Sequence, residues 1–142
     1  MELLGGIQRM EHAIQTPVGD PAWRPAVSQA VAQLKAAFAA HVRETEGPSG
    51  LYAGVLGDAP RLARGLYGLV GDHETVWEAL DDLEGHLDEI DPVQDGAPGT
   101  FGFRHEVVRQ DAARLIREVW QHRQRGADLL YEAYDTDLGG ET

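Results

Sequence analysis

No cysteine occurs among the 142 residues of the chain. Disulfide frameworks, thiolate metal sites, iron–sulfur clusters and cysteine nucleophiles are excluded together. Long apolar runs are missing too. No stretch approaches the length of a membrane span, and the N-terminal MELLGGIQRMEHAIQ lacks the apolar core of a signal peptide, so a cytoplasmic protein is expected. Basic residues are scarce: 12 Lys+Arg against 24 Asp+Glu leave a net charge of −12. That field repels nucleic acid and anionic membrane, and neither is expected as a partner. There is no Gly-x-Ser-x-Gly elbow and no phosphate-cradling glycine loop followed by Lys-Ser/Thr. No catalytic constellation stands out, and the chain is not expected to be an enzyme.

What is present is an ordinary folding composition, 42% apolar and 25% charged. The length predicts one domain over 1–142, large enough to bury a core without a structural metal. Breakers divide it: Pro17 to Pro21, Gly47 to Gly50, Gly57 to Pro60, and 91–104. Asp58 is the expected N-cap of the third segment, with Pro60 in its first turn. An acidic, Gly-rich tail occupies about 135–142.

Between the breakers the apolar spacing is helical. Val27, Val31, Leu34, Phe38 and His41 recur at steps of four and three. So do Leu62, Leu66, Leu69, His73, Val76, Leu80, Leu83 and Leu87, and then Val108, Ala112, Leu115, Val119 and His122. This alternation is the seam of a packed helix, and no segment shows the period-2 pattern of a half-buried strand. Residues Leu51–Leu56 add an extra turn in one connection. The first segment is weaker, with Leu3, Leu4, Ile7, Met10 and Ile14 on one face and His12 nearly opposite. It is expected to be short and only partly committed to the core. The expected fold is all-α, an up-down antiparallel four-helix bundle.

The histidines carry the functional signal. His41, His73 and His122 each fall on a seam, one per long helix, so each points at the interior. His73 and His122 share the index sum of Ile90 and His105, which sets them level in an antiparallel pair turned at 91–104. Imidazoles converging inside a bundle are how such proteins hold iron, zinc or copper. His86 and His105 carry no such signal and are expected at the surface. Trp77 and Trp120 are expected in or at the edge of the core. The arginines at 114, 117, 123 and 125 read as a solvated stripe.

One histidine per helix, with HVRETE closing the second, DHE inside the third and HRQRGADLLYEAY in the fourth, resembles the hemerythrin-like (HHE cation-binding) family. The likeness covers nearly the whole chain. It implies a four-helix bundle with a non-haem di-iron centre that binds oxygen, some members sensing or handling oxygen, nitric oxide, peroxide or iron. Carried across, it makes His12, His41, His73 and His122 candidate ligands. The family's carboxylates do not follow. Four residues after His41 stands Thr45, after His73 Trp77, and after His122 Gly126. Two ions about 3.5–4 Å apart need anionic bridges to offset their repulsion. Glu46 and Asp128 are the nearest substitutes, each off phase, Glu46 reachable if the helix unwinds at Gly47.

The expectation is therefore a mononuclear site or none. One reading is an iron domain with an atypical site that takes a small ligand such as O2 or NO. The other is a metal-free pseudo-hemerythrin serving as a protein-interaction or regulatory module. The Leu129–Asp135 stretch is read as a last turn packed on the bundle mouth, or as a docking surface for a protein partner.

Overall fold

The computed structural model describes residues 2–90 and 102–136. Among them are five α-helices and no strand. They are α1 (Glu2–Ala13), α2 (Trp23–Thr45), α3 (Leu51–Asp58), α4 (Ala63–Asp88) and α5 (Phe103–Leu130). A 3-10 turn, Pro60–Leu62, leads into α4, and a π-type turn, Tyr131–Thr136, ends the described chain. Most of the 91–104 breaker and the tail beyond Thr136 lie outside the described residues.

α1 packs on α2 and α5, α2 packs on α4, and α4 packs on α5, so the longer helices close a ring. Cross-links fix two of the directions. His86–Asp111, Asp82–Arg114 and Asp72–Arg125 descend α4 as they climb α5, so that pair is antiparallel. Lys35 meets Glu84 at 2.8 Å and His41 lies beside His73, which makes α2 and α4 antiparallel as well.

Local chemistry sets the helix ends. Asp20 Oδ1 accepts the Ala22 N–H at 2.9 Å just before α2. Pro25 sits in that helix's first turn, where its missing N–H costs nothing. α2 stops where Glu46 turns extended (φ −90°, ψ 163°) and Gly47 takes φ +99°, a value that favours glycine.

Buried apolar side chains form two clusters. The larger joins α1, α2, α4 and α5 through residues such as Ile7, Leu34, Phe38, Leu80, Leu83 and Leu115. A smaller one gathers Val55, Ala59, Leu62, Leu66, Leu69, Leu129 and Ala133 around α3 and the end of α5. At roughly 1.5–3 kcal/mol per fully buried large apolar side chain, these stripes supply the main driving force for the bundle.

Five expectations change. The extra turn at Leu51–Leu56 is a helix of its own, because Val55 is fully buried and anchors the second cluster. α1 is a committed core helix: Ile7 and Met10 are fully buried, and Gly6 lets it approach α2 closely enough that a Cβ there would lie 2.9 Å from Leu34 Cδ1. Asp58 ends α3 instead of capping α4, and its carboxylate accepts the Tyr134 hydroxyl at 2.9 Å. That contact seats Tyr134 on the second cluster, in line with a packed last turn. His105 is buried with its ring 5.0 Å from that of Trp23, while Trp120 is 39% exposed beneath Arg123.

No helix among the described residues is long and apolar enough to cross a membrane.

Candidate metal centre

The three seam histidines meet. His41 comes from the last turns of α2, His73 from the middle of α4 and His122 from the last third of α5. One ring nitrogen from each lies within 4.8 Å of the others. His41 Nε2 is 2.9 Å from His122 Nε2, which is 3.2 Å from His73 Nε2. His73 and His122 are buried and His41 is half-buried. Along α4 and α5 the layer falls between the two apolar clusters, below Val76 and Val119 and above Leu69 and Leu129. Phe38 packs on two of the rings, stacked on His41 and edge-on to His73.

The far nitrogens are held by carboxylates. His122 Nδ1 bonds Asp72 Oδ2 at 2.9 Å, and Asp72 receives a two-pronged grip from Arg125, both contacts at 2.9 Å. His73 Nδ1 bonds Glu46. An ionised carboxylate only accepts, so each of these Nδ1 atoms carries the proton and donates it. In a neutral ring so held, Nε2 is an acceptor, and the Nε2 atoms of His73 and His122 face each other at 3.2 Å. Two acceptors so placed repel unless a proton or a cation lies between them.

The electrostatics favour neutral rings at His41 and His122. Burial lowers the His41 pKa to about 4, helped by the two neighbouring imidazoles. Burial also lowers that of His122, against the opposing pull of Asp72. Burial alone would raise Asp72, but hydrogen bonds from Arg125 and His122 outweigh it and keep the carboxyl below its ordinary value. Tyr52 of α3 stacks on His73, its hydroxyl 3.3 Å from Nε2. Burial pushes its phenol up to about 12, so it stays protonated.

Of the six candidate ligands, the fold gathers four. Glu46 swings in as the unwinding at Gly47 allows, but it meets Nδ1 of His73, behind the ring. His12 does not join. It lies on the exposed face of α1, opposite the side that buries Ile7 and Met10. Asp128 does not join either. It is exposed one turn beyond Gln124, whose amide it accepts at 2.9 Å, and Arg125 is spent on Asp72 instead.

Thr45 is buried, with its hydroxyl donated to the His41 carbonyl at 2.8 Å. Trp77 packs edge-on against Phe38. Neither offers a bridging anion. Asp72, Arg125 and Tyr52 were not legible as site residues from the spacing of histidines. The register that levels His73 with His122 also brings Asp72 beside Arg125, and that was the available signal.

Two of the three nitrogen separations suit one ion, and the third lies within 4.8 Å. Donors about 2.1 Å from a common centre stand roughly 3.0–3.4 Å apart at coordination angles of about 90–110°. The observed separations of 2.9 and 3.2 Å lie within a few tenths of that range. Comparison with protein-family models, curated proteins and solved structures finds no match to this chain.

Proposed function

We propose that the chain is an atypical hemerythrin-like domain that binds a single non-haem transition-metal ion on His41, His73 and His122. In this reading α1, α2, α4 and α5 are the four members of an up-down antiparallel bundle, and iron is the resident metal. The supporting observation is the approach of the His73 and His122 Nε2 atoms to 3.2 Å, with a carboxylate on the far nitrogen of each ring. Carboxylates behind ligating histidines set the tautomer and raise ligand basicity. A bound ferrous ion would supply a coordination position for a diatomic such as O2 or NO. Glu46 and Asp72 orient the rings, and Phe38 limits water on one side. The donors do not fit a di-iron centre, because Thr45, Trp77 and Gly126 leave no anion to bridge two ions.

A metal-free interaction module is the competing reading, and one observation favours it. His41 Nε2 at 2.9 Å and the Tyr52 hydroxyl at 3.3 Å can each supply a proton to one of the two lone pairs. The deciding experiment is metal content per chain by mass spectrometry after anaerobic ferrous reconstitution and desalting. About one ion per chain supports the proposal. Two would mean that an unrecognised bridge exists. None would leave the metal-free module.

A further inference from the structure

The histidine layer does not face a closed core on its α3 side. A cavity of about 240 Å³ opens there. His41 and His122 form one end of it, Arg123 stands at its edge, and Val55, Leu69 and Leu129 line its walls. The volume is informative. An apolar cavity of about 150 Å³ holds benzene, and drug-sized ligands need about 300 Å³ or more. This cavity is therefore far too large for a diatomic alone and suits an apolar body of about six to eight heavy atoms with a small head group.

The charges select the head group. Imidazoles contribute no negative charge to a divalent ion. Asp72 is already matched by Arg125, which leaves Glu46, among the described residues, as the uncompensated anion in contact with the rings. Arg123 also lines the cavity, its guanidinium 5.3 Å from the Trp120 ring centre. With an ion on the three imidazoles, the polar end is electropositive within apolar walls. Burying it without an anion would be costly.

We propose that this cavity binds a small amphipathic monocarboxylate, its carboxylate on an ion held by His41, His73 and His122 and its apolar tail among Val55, Leu69 and Leu129. The proposal rests on the metal-site reading, since neutral imidazoles offer a carboxylate no charge of their own. The apolar walls act without the ion.

The test is calorimetric titration of the chain with hexanoate, acetate and hexan-1-ol, with metal content measured on the same sample. Hexanoate should bind about tenfold or more tightly than acetate, from burial of four further methylenes. It should also bind more tightly than hexan-1-ol. Gly126 lines the cavity, and a Cβ built there meets nothing within 4 Å. Gly126→Leu should fill the space, keep helicity and metal content, and weaken hexanoate about tenfold or more.

Equal affinity for acetate and hexanoate, hexan-1-ol binding as well as hexanoate, or undiminished binding to Gly126→Leu would overturn the proposal. Metal uptake without hexanoate preference refutes the cavity assignment and spares the metal site. Hexanoate preference in a chain that takes up no metal refutes both the metal site and the ion-held head group.

Discussion

Asp72 accepts from His122 Nδ1 while both prongs of Arg125 hold it from the other side. One carboxylate thus fixes both the tautomer and the tilt of a buried ring. Asp72→Asn removes the charge and keeps the shape. Metal affinity should fall about 10–100-fold, because a carboxylate bonded behind a ligating histidine carries that much. Competition against a chromophoric chelator measures it. Unchanged affinity would mean that Asp72 serves only the α4–α5 ion pair.

Metal should stabilise the fold by mass action. At free metal near 100 times its dissociation constant, the gain is about 2.7 kcal/mol. Thermal unfolding should show a rise in melting temperature that a chelator reverses. Replacing His41, His73 and His122 together by Gln should abolish the rise and leave the helical circular dichroism signal. A rise that survives the triple change would locate the ion elsewhere.

Phe38 is fully buried and touches two of the three imidazoles. Phe38→Ala should destabilise the chain by about 3–5 kcal/mol in denaturant titration, from lost transfer energy and the cavity left behind. It should also weaken metal binding, since two of the rings lose a packed wall.

Close approach of α1 to α2 depends on Gly6. Its missing side chain leaves room for Leu34, whose Cα would lie 3.3 Å from a Cβ there. Gly6→Val should cost about 1–3 kcal/mol by overpacking. Gly126→Ala, with open space around its Cβ, should instead stabilise by about 0.4–1 kcal/mol. Equal effects in urea melts would contradict the described docking of α1.

His86 and Asp111 join α4 to α5 far from the histidine layer. The hydrogen bond to Asp111 raises the His86 pKa. A raised folded value means that the pair stabilises fully below the unfolded pKa of about 6.5 and is lost as pH rises through the folded one. The melting temperature of the parent chain should exceed that of His86→Gln most clearly at pH about 5.5. The difference should shrink at alkaline pH. A gap that grows with pH would refute the assignment.

The helical seams were legible because burial repeats every three to four residues, and His41, His73 and His122 share the phase of the leucines around them. Their meeting at one level followed from the antiparallel register of α4 and α5. α3 was not legible as a helix, because its eight residues are too few for periodicity, and Val55 is its sole buried anchor. His105 looked like a surface residue because nothing in its spacing reveals Trp23 arriving from another helix. Glu46 was visible as a reachable anion, but sequence spacing cannot say which nitrogen of an imidazole it will meet. Tyr52 was invisible for a similar reason: its role comes from α3 folding back over α4.

The histidine layer lies on the border between two apolar clusters of unequal size, and this separates solvent access from global unfolding. The smaller cluster, built on α3 and the end of α5, can open as a sub-global unit while the four-helix core stays folded. If the histidines hold an ion as proposed, its exchange would run at the opening rate of that small unit. Amide hydrogens of α3 should exchange well before those of Leu80 and Leu83, and a substitution that loosens Val55 should speed chelator stripping without lowering the stability of the larger core.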